Sequence, residues 1–196
     1  MHARRFACLV LGLWLGGCLF MAWVATENFR VADQLVSQAS PTARLELKAI
    51  GPDPRALLRY QASEENRRYF RLWETAQIVL GCVFFGFMLF GSRESKYLLG
   101  GILLLILIVA LQRLIVTPEI TAEGRLLDFV APGATAERTR FWLLHSTYVG
   151  IELAKWALML ILAGRMVFSR KGSGRSRDAR RQLNQVDKTN YSRVNR

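Results

Sequence analysis

The sequence predicts an all-α protein, an integral membrane four-helix bundle with short outer-surface amphipathic helices in the first long loop. Three observations predict it. Four apolar runs reach spanning length, since about 20 apolar residues cross a bilayer core as a helix. They lie at about 6–25, 74–91, 97–116 and 142–168. Charge is segregated into the intervening loops and the tail, although charged residues make up 21% of the chain. The polar residues inside the runs cluster toward one membrane face. A soluble bundle is excluded by Gly101–Val116, whose first eleven residues offer no polar face.

The first run follows a basic start, Arg4-Arg5, as a secretory signal would. Leu15-Gly16-Gly17-Cys18 also has the form of a lipoprotein cleavage box. The apolar run continues through Ala25, where a mature lipoprotein would turn polar, so an uncleaved first helix is expected. Gly12-x-x-x-Gly16, with Gly17 beside it, would let another helix approach closely.

The loop 26–73 is too long and too patterned for a linker. Phe29, Val31, Ala32, Leu35 and Val36 recur at helical spacing. Ser40-Pro41-Thr42 starts a second short helix ending near Gly51, with serine as N-cap and proline in the first turn. Asp53-Pro54 repeats the device for a third. These predict amphipathic helices lying on the outer surface, or a small cap over the bundle. Gly91–Lys96 is expected to be a tight hairpin turn, Thr117-Pro118 to stop or bend the third span, and Pro132-Gly133 to turn the last outer loop. Residues 1–169 form the membrane domain, and 170–196 a basic, disordered tail without an apolar face.

Net charge is +12, which in a soluble protein would suggest nucleic acid. Here position accounts for it. Lys/Arg in short loops mark the cytoplasmic side, and Arg4, Arg5, Arg93, Lys96 and the tail fall on one side of a four-pass chain. Both termini are therefore expected in the cytoplasm, with the lipid bilayer as the principal partner. Anionic lipid heads suit the basic tail; RNA contact by the tail is a lesser reading, and no specific nucleic-acid partner is called for. A homo-oligomer is left open.

Function rests on the polar residues in the spans. His145, Tyr148, Glu152 and Lys155 fall within an arc of about 80° and extend about 15 Å along the fourth helix. Glu152 and Lys155, three apart, can pair. Glu74 and Gln77 share a face of the second span. Gln112 and Arg113 sit in the same third of the third span, and Glu27 and Asn28 end the first. Ionisable groups in hydrocarbon line protein interiors or wet cavities. The candidate ligand-binding set is therefore Glu74, Gln77, Arg113, His145, Tyr148, Glu152 and Lys155, with Arg113–Glu74 or Arg113–Glu152 as the first ion pair to seek. The bland reading is a hydrogen-bonded clamp between helices. The sharper one is a small transporter or a module binding a ligand or lipid headgroup.

Catalysis is disfavoured because no serine or cysteine nucleophile accompanies His145. A metal is disfavoured because His145 is the sole histidine of the folded region and no Cys-x-x-Cys or His-Glu-x-x-His pattern exists. No cofactor is called for. Cys8, Cys18 and Cys82 all lie in apolar segments, which argues against a disulfide framework. A weak repeat relates Arg67-x-x-Phe70-x-Leu72-x-Glu74 to Arg138-x-x-Phe141-x-Leu143-x-His145.

Val116-Thr117-Pro118-x-Ile120, followed by Arg140-Phe141-x-x-Leu144-His145-Ser146-Thr147, resembles the four-helix transmembrane-protein-205-like family, many of whose bacterial members are domains of unknown function. The resemblance covers about 6–168. It implies a four-pass bundle without established catalytic activity. The leading expectation for function, taken from the polar cluster, is a non-enzymatic structural or accessory factor. With both termini cytoplasmic, a bacterial inner (cytoplasmic) membrane is the expected location. The long outer loop and the basic tail depart from the family pattern.

Overall fold

The computed structural model describes residues 2–91, 96–130, 133 and 135–168. The expected turn at 92–95, Pro132 and the tail 170–196 lie outside them. Helices α1 (His2–Ser37), α2 (Pro41–Ile50), α3 (Pro54–Gly91), α4 (Lys96–Leu111), α5 (Thr117–Leu126) and α6 (Ala136–Phe168) follow in order, and the described residues contain no strand. Three continuous helices are long and apolar enough to cross a membrane: Arg4–Ser37, Pro54–Phe90 and Lys96–Leu126. The chain is thus an all-helical protein suited to a bilayer. Helix α6 is not among the three; Glu152 and Lys155 interrupt its apolar run.

The first long loop differs from expectation. Helix α1 has 36 residues and α3 has 38. At 1.5 Å per residue each is about 55 Å long, well beyond a hydrocarbon core of about 30 Å. The amphipathic stretches around Phe29–Val36 and after Pro54 are therefore extensions of α1 and α3, not separate helices. No proline or glycine interrupts 18–37 or 55–80, so nothing breaks the hydrogen-bond ladder. Only α2 forms the short helix expected. Its N-cap Ser40 accepts a hydrogen bond from the Ala43 amide at 3.2 Å, and Pro41 opens it. Asp53 does the same for α3, accepting from Ala56 N at 3.0 Å.

Thr117-Pro118 neither stops nor breaks the third apolar run. A π-helical turn, Gln112–Val116, links α4 to α5, and the Thr117 amide reaches back five residues to Gln112 O. The extra residue per turn absorbs the amide that Pro118 lacks, and Pro118 then opens α5 at a position that tolerates it.

The core repeats at heptad spacing. Helix α1 contributes Ala7, Leu11, Trp14 and Cys18; α4 contributes Leu98, Ile102, Leu105 and Val109; α6 contributes Met159, Leu162 and Met166; α3 contributes Phe84 and Met88. Alternating steps of four and three keep one seam inward along a long helix. Helix α1 packs on α3 and α6, and α4 packs on the same two. Close approaches occur at Gly81, where an added Cβ would sit 2.7 Å from Ile106 and 2.9 Å from Trp14, and at Gly101, where it would meet Leu162 at 2.5 Å. Gly17 approaches Trp73, whereas Gly12 and Gly16 face open space, so the expected Gly-x-x-x-Gly contact does not form. The outward faces carry exposed Leu13, Phe20, Val83, Leu104, Leu107, Leu153 and Ile161. A belt of that extent suits acyl chains.

Candidate functional site

The heptad seams continue past the apolar core and turn polar. On α3, Phe84 and Gly81 give way to Gln77 and Glu74; on α6, Met159 gives way to Lys155, Glu152 and Tyr148; past Val109 of α4 come Gln112 and, at the start of α5, Thr117. Glu74, Gln77, Gln112 and Lys155 are each 0% exposed. These groups meet because they occupy core positions of the repeat, in the half of the bundle nearer the 26–73 loop.

Lys155 is the hub. Its Nζ donates to Glu152 Oε1 at 2.6 Å, Gln77 Oε1 at 2.9 Å and Gln112 Oε1 at 3.2 Å. An ammonium has three hydrogens, and all three are engaged. Glu152 Oε1 also accepts from Gln112 Nε2 at 3.1 Å, and its Oε2 from Trp156 Nε1 at 3.1 Å. Gln77 Oε1 also accepts from Trp14 Nε1 at 2.8 Å and from Cys18 Sγ at 3.5 Å. One turn along α3, Glu74 Oε1 accepts from the Thr117 hydroxyl and, at 3.3 Å, from Tyr148 Oη. Within this cluster, two buried side-chain atoms have no hydrogen-bond partner among the described residues: Glu74 Oε2 and Gln77 Nε2.

The π-turn builds part of this site. Residues five apart on a regular α-helix face about 140° apart. Gln112 and Thr117 are five apart, yet both are buried, Gln112 bonded to Lys155 and Glu152 of α6 and Thr117 to Glu74 of α3. A single π-turn in a long helix frequently marks such a site.

Five of the seven expected site residues come together: Glu74, Gln77, Tyr148, Glu152 and Lys155. Two do not. His145 is exposed, its ring 6.0 Å from Phe141 and 5.5 Å from Trp142. It continues the heptad seam of 148, 152 and 155, but that seam is covered only from Tyr148 onward and is exposed at the level of His145. Arg113 is half-buried and makes neither expected ion pair. On the π-turn it follows Gln112 and points past the cluster. Glu27 and Asn28 lie elsewhere too: Glu27 pairs with Arg30 at 2.5 Å, and Asn28 Nδ2 donates to Asn66 Oδ1 at 2.6 Å. The weak repeat fails in its surroundings, since Glu74 is buried where its counterpart His145 is exposed. The sequence reading missed Trp14, Cys18, Thr117 and Trp156 as partners; the heptad register was the signal that could have found the first two.

A second polar region joins the extensions of α1 and α3 to α5 and α6. Arg67 Nη1 meets Glu64 at 2.7 Å and Asp128 at 2.9 Å, and Arg125 meets Glu64 at 3.1 Å. Asp33 accepts from both Arg55 and Arg59 at 2.9 Å. Arg140 bridges to Glu119 and Glu123. These groups lie beyond the apolar stretches. The Arg125 guanidinium, then that of Arg67, holds the Glu64 carboxyl below the usual carboxylate range; Arg55 above all does so for Asp33.

Among the described residues no three His, Cys, Asp or Glu side chains gather as metal ligands, and Cys8, Cys18 and Cys82 are free thiols. No family model matches the chain, and no curated protein or solved structure matches it either.

Proposed function

We propose that this chain is a four-span membrane protein with a non-enzymatic, structural or accessory role, whose buried polar cluster clamps the helices in register. On this reading α6 is the fourth span. Glu152 and Lys155 neutralise each other inside the bundle, which lowers the cost of placing either at membrane depth. The observation that carries the reading is the saturation of Lys155, whose three donors are all spent on side chains of this chain. A ligand there would have to displace an internal bond. Both termini then lie on the cytoplasmic side, as the basic ends require under the positive-inside rule, in keeping with the resemblance at Pro118 and Phe141–His145 to four-pass proteins of bacterial inner membranes.

A second reading, a small transporter or headgroup-binding module, is favoured by one observation: Glu74 Oε2 and Gln77 Nε2 are buried without partners on the same face of α3.

The two readings separate in a single design. Replacing the hub together with its partners by apolar residues, as Q77L/Q112L/E152L/K155M, removes both charges of the Glu152–Lys155 pair at once. Well-packed apolar replacements of a buried ion pair are often neutral or stabilising. A pure clamp therefore keeps its fold and its melting temperature in detergent, and the host keeps whatever phenotype deletion reveals absent. Loss of that phenotype in a folded quadruple variant rejects the clamp. Reporter fusions after residue 168 should report cytoplasm and those at Gly133 the opposite side; any other pattern overturns the four-span topology.

A further inference from the structure

A groove of about 270 Å³ with a largely apolar wall opens on the bundle's side where α3 meets the π-turn and α5, lined by Arg71, Arg113, Arg125, Thr117 and Thr121 with Pro118 and Ala122. A water occupies about 30 Å³, so the groove has room for a phosphate group. Of its three guanidinium groups only Arg125 is committed, to Glu64. Arg71 and Arg113 have no carboxylate within ion-pairing distance among the described residues, although the chain places carboxylates beside Arg55, Arg59, Arg67 and Arg140. The Thr121 hydroxyl has no hydrogen-bond partner either, while that of Thr117 is turned inward to Glu74. The Glu64 carboxylate is occupied by two arginines, and Glu74 Oε1 by the hydroxyls of Thr117 and Tyr148.

We propose that this groove binds a phosphate group through Arg71 and Arg113, at a site separate from the buried cluster and from the basic tail. Two unspent guanidinium forks and a hydroxyl match phosphate oxygens, which arginine holds with paired hydrogen bonds. Position favours a lipid as the source. Arg71 precedes the second apolar stretch by one helical turn, and Arg113 is flanked by Leu114 and Ile115, exposed to 74% and 56%. A phosphodiester seated on the arginines would leave its acyl chains against those side chains. The groove also lies at the end of the bundle opposite Phe168, the last residue of α6. The proposal does not depend on what the buried cluster does.

The test uses the full-length chain in a neutral detergent, by native mass spectrometry and thermal shift. The probes are phosphatidylglycerol, phosphatidylcholine and inorganic phosphate. The variants are R71Q/R113Q and, as a control that removes equal charge from α2, R44Q/K48Q. Wild type should retain phosphatidylglycerol over phosphatidylcholine by about tenfold or more, the factor that one charge-assisted hydrogen bond supplies. R71Q/R113Q should lose that preference and R44Q/K48Q keep it. A thermal shift with inorganic phosphate alone, abolished in R71Q/R113Q and without lipid preference, keeps the site and makes its ligand a soluble phosphate. Equal retention by wild type and R71Q/R113Q overturns the proposal, leaving the arginines as interfacial anchors. So does a wild type that shows neither preference nor shift, whether or not the variants fold.

Discussion

Lys155 and Arg67 are both cations held by carboxylates of the same helical protein, but they solve different problems. Lys155 is wholly buried, with a single carboxylate partner, and the rest of its charge is met by the oxygens of Gln77 and Gln112. Arg67 is 11% exposed at its side chain, has two carboxylate partners, and sits in a network that reaches Arg125 and solvent. The contrast shows how depth sets composition. In the closed interior of the bundle each added ion carries a large desolvation cost, so neutral amides finish the coordination. Beyond the apolar stretches water shares that cost, and charge can be met by charge.

The comparison breaks most sharply at the hub. Lys155→Ala strands Glu152 in the bundle beside two glutamines. Removing one partner of a buried pair costs about 3–5 kcal/mol, so the variant should melt far below wild type in detergent, or fail to fold. A wild-type melting curve for Lys155→Ala would mean that the cluster is wet and tolerant, unlike the packed hub described. Next comes Arg67→Ala, which releases Glu64 and Asp128 where water can reach them. A loss of about 1–3 kcal/mol is expected, and a double-mutant cycle with Asp128→Ala should show that most of it is their shared interaction. Equal losses for Lys155→Ala and Arg67→Ala would erase the distinction between the two regions.

The smallest effect is that of pH. Partner arginines depress the carboxyls of Glu64 and Asp33. A carboxyl depressed in the folded state contributes stability that is complete above its unfolded value of about 4 and is lost as pH falls through the lower folded value. Each exposed pair contributes little, because water and salt screen it. Melting should therefore fall modestly below pH 4, and Glu64→Gln should flatten part of that dependence while leaving the curve between pH 5 and 8 unchanged. An acid response of the same size in Glu64→Gln would place its origin elsewhere.

Much of this was legible in the chain. Apolar runs of spanning length marked three long helices, and Ser40-Pro41 and Asp53-Pro54 marked the starts of α2 and α3, because caps and prolines act through neighbouring backbone atoms. The Glu152–Lys155 pair was legible too, being a contact within one helical turn. Tyr148 with Glu74, and Gln77 with Lys155, were suspected from their depth. His145 shares the seam of Tyr148, Glu152 and Lys155 but lies a turn beyond its covered part, and how far neighbouring helices cover a seam is not written in the helix that carries it. Arg113 and Thr117 were misjudged for one shared reason: the π-turn re-aims every residue around Pro118.

The sequence by itself determined that the chain is helical and apolar enough for a bilayer, and where its helices start, because periodicity, hydropathy and capping depend on residues within a turn or two. Only the tertiary structure decided that α1 and α3 run unbroken far past their apolar stretches, that Gln112 and Thr117 share a face, and that Lys155 is saturated while Arg71 and Arg113 are not. These are matters of which side chain on one helix reaches which atom on another. Helix register and rotation set that reach, and they follow from packing all the long helices at once.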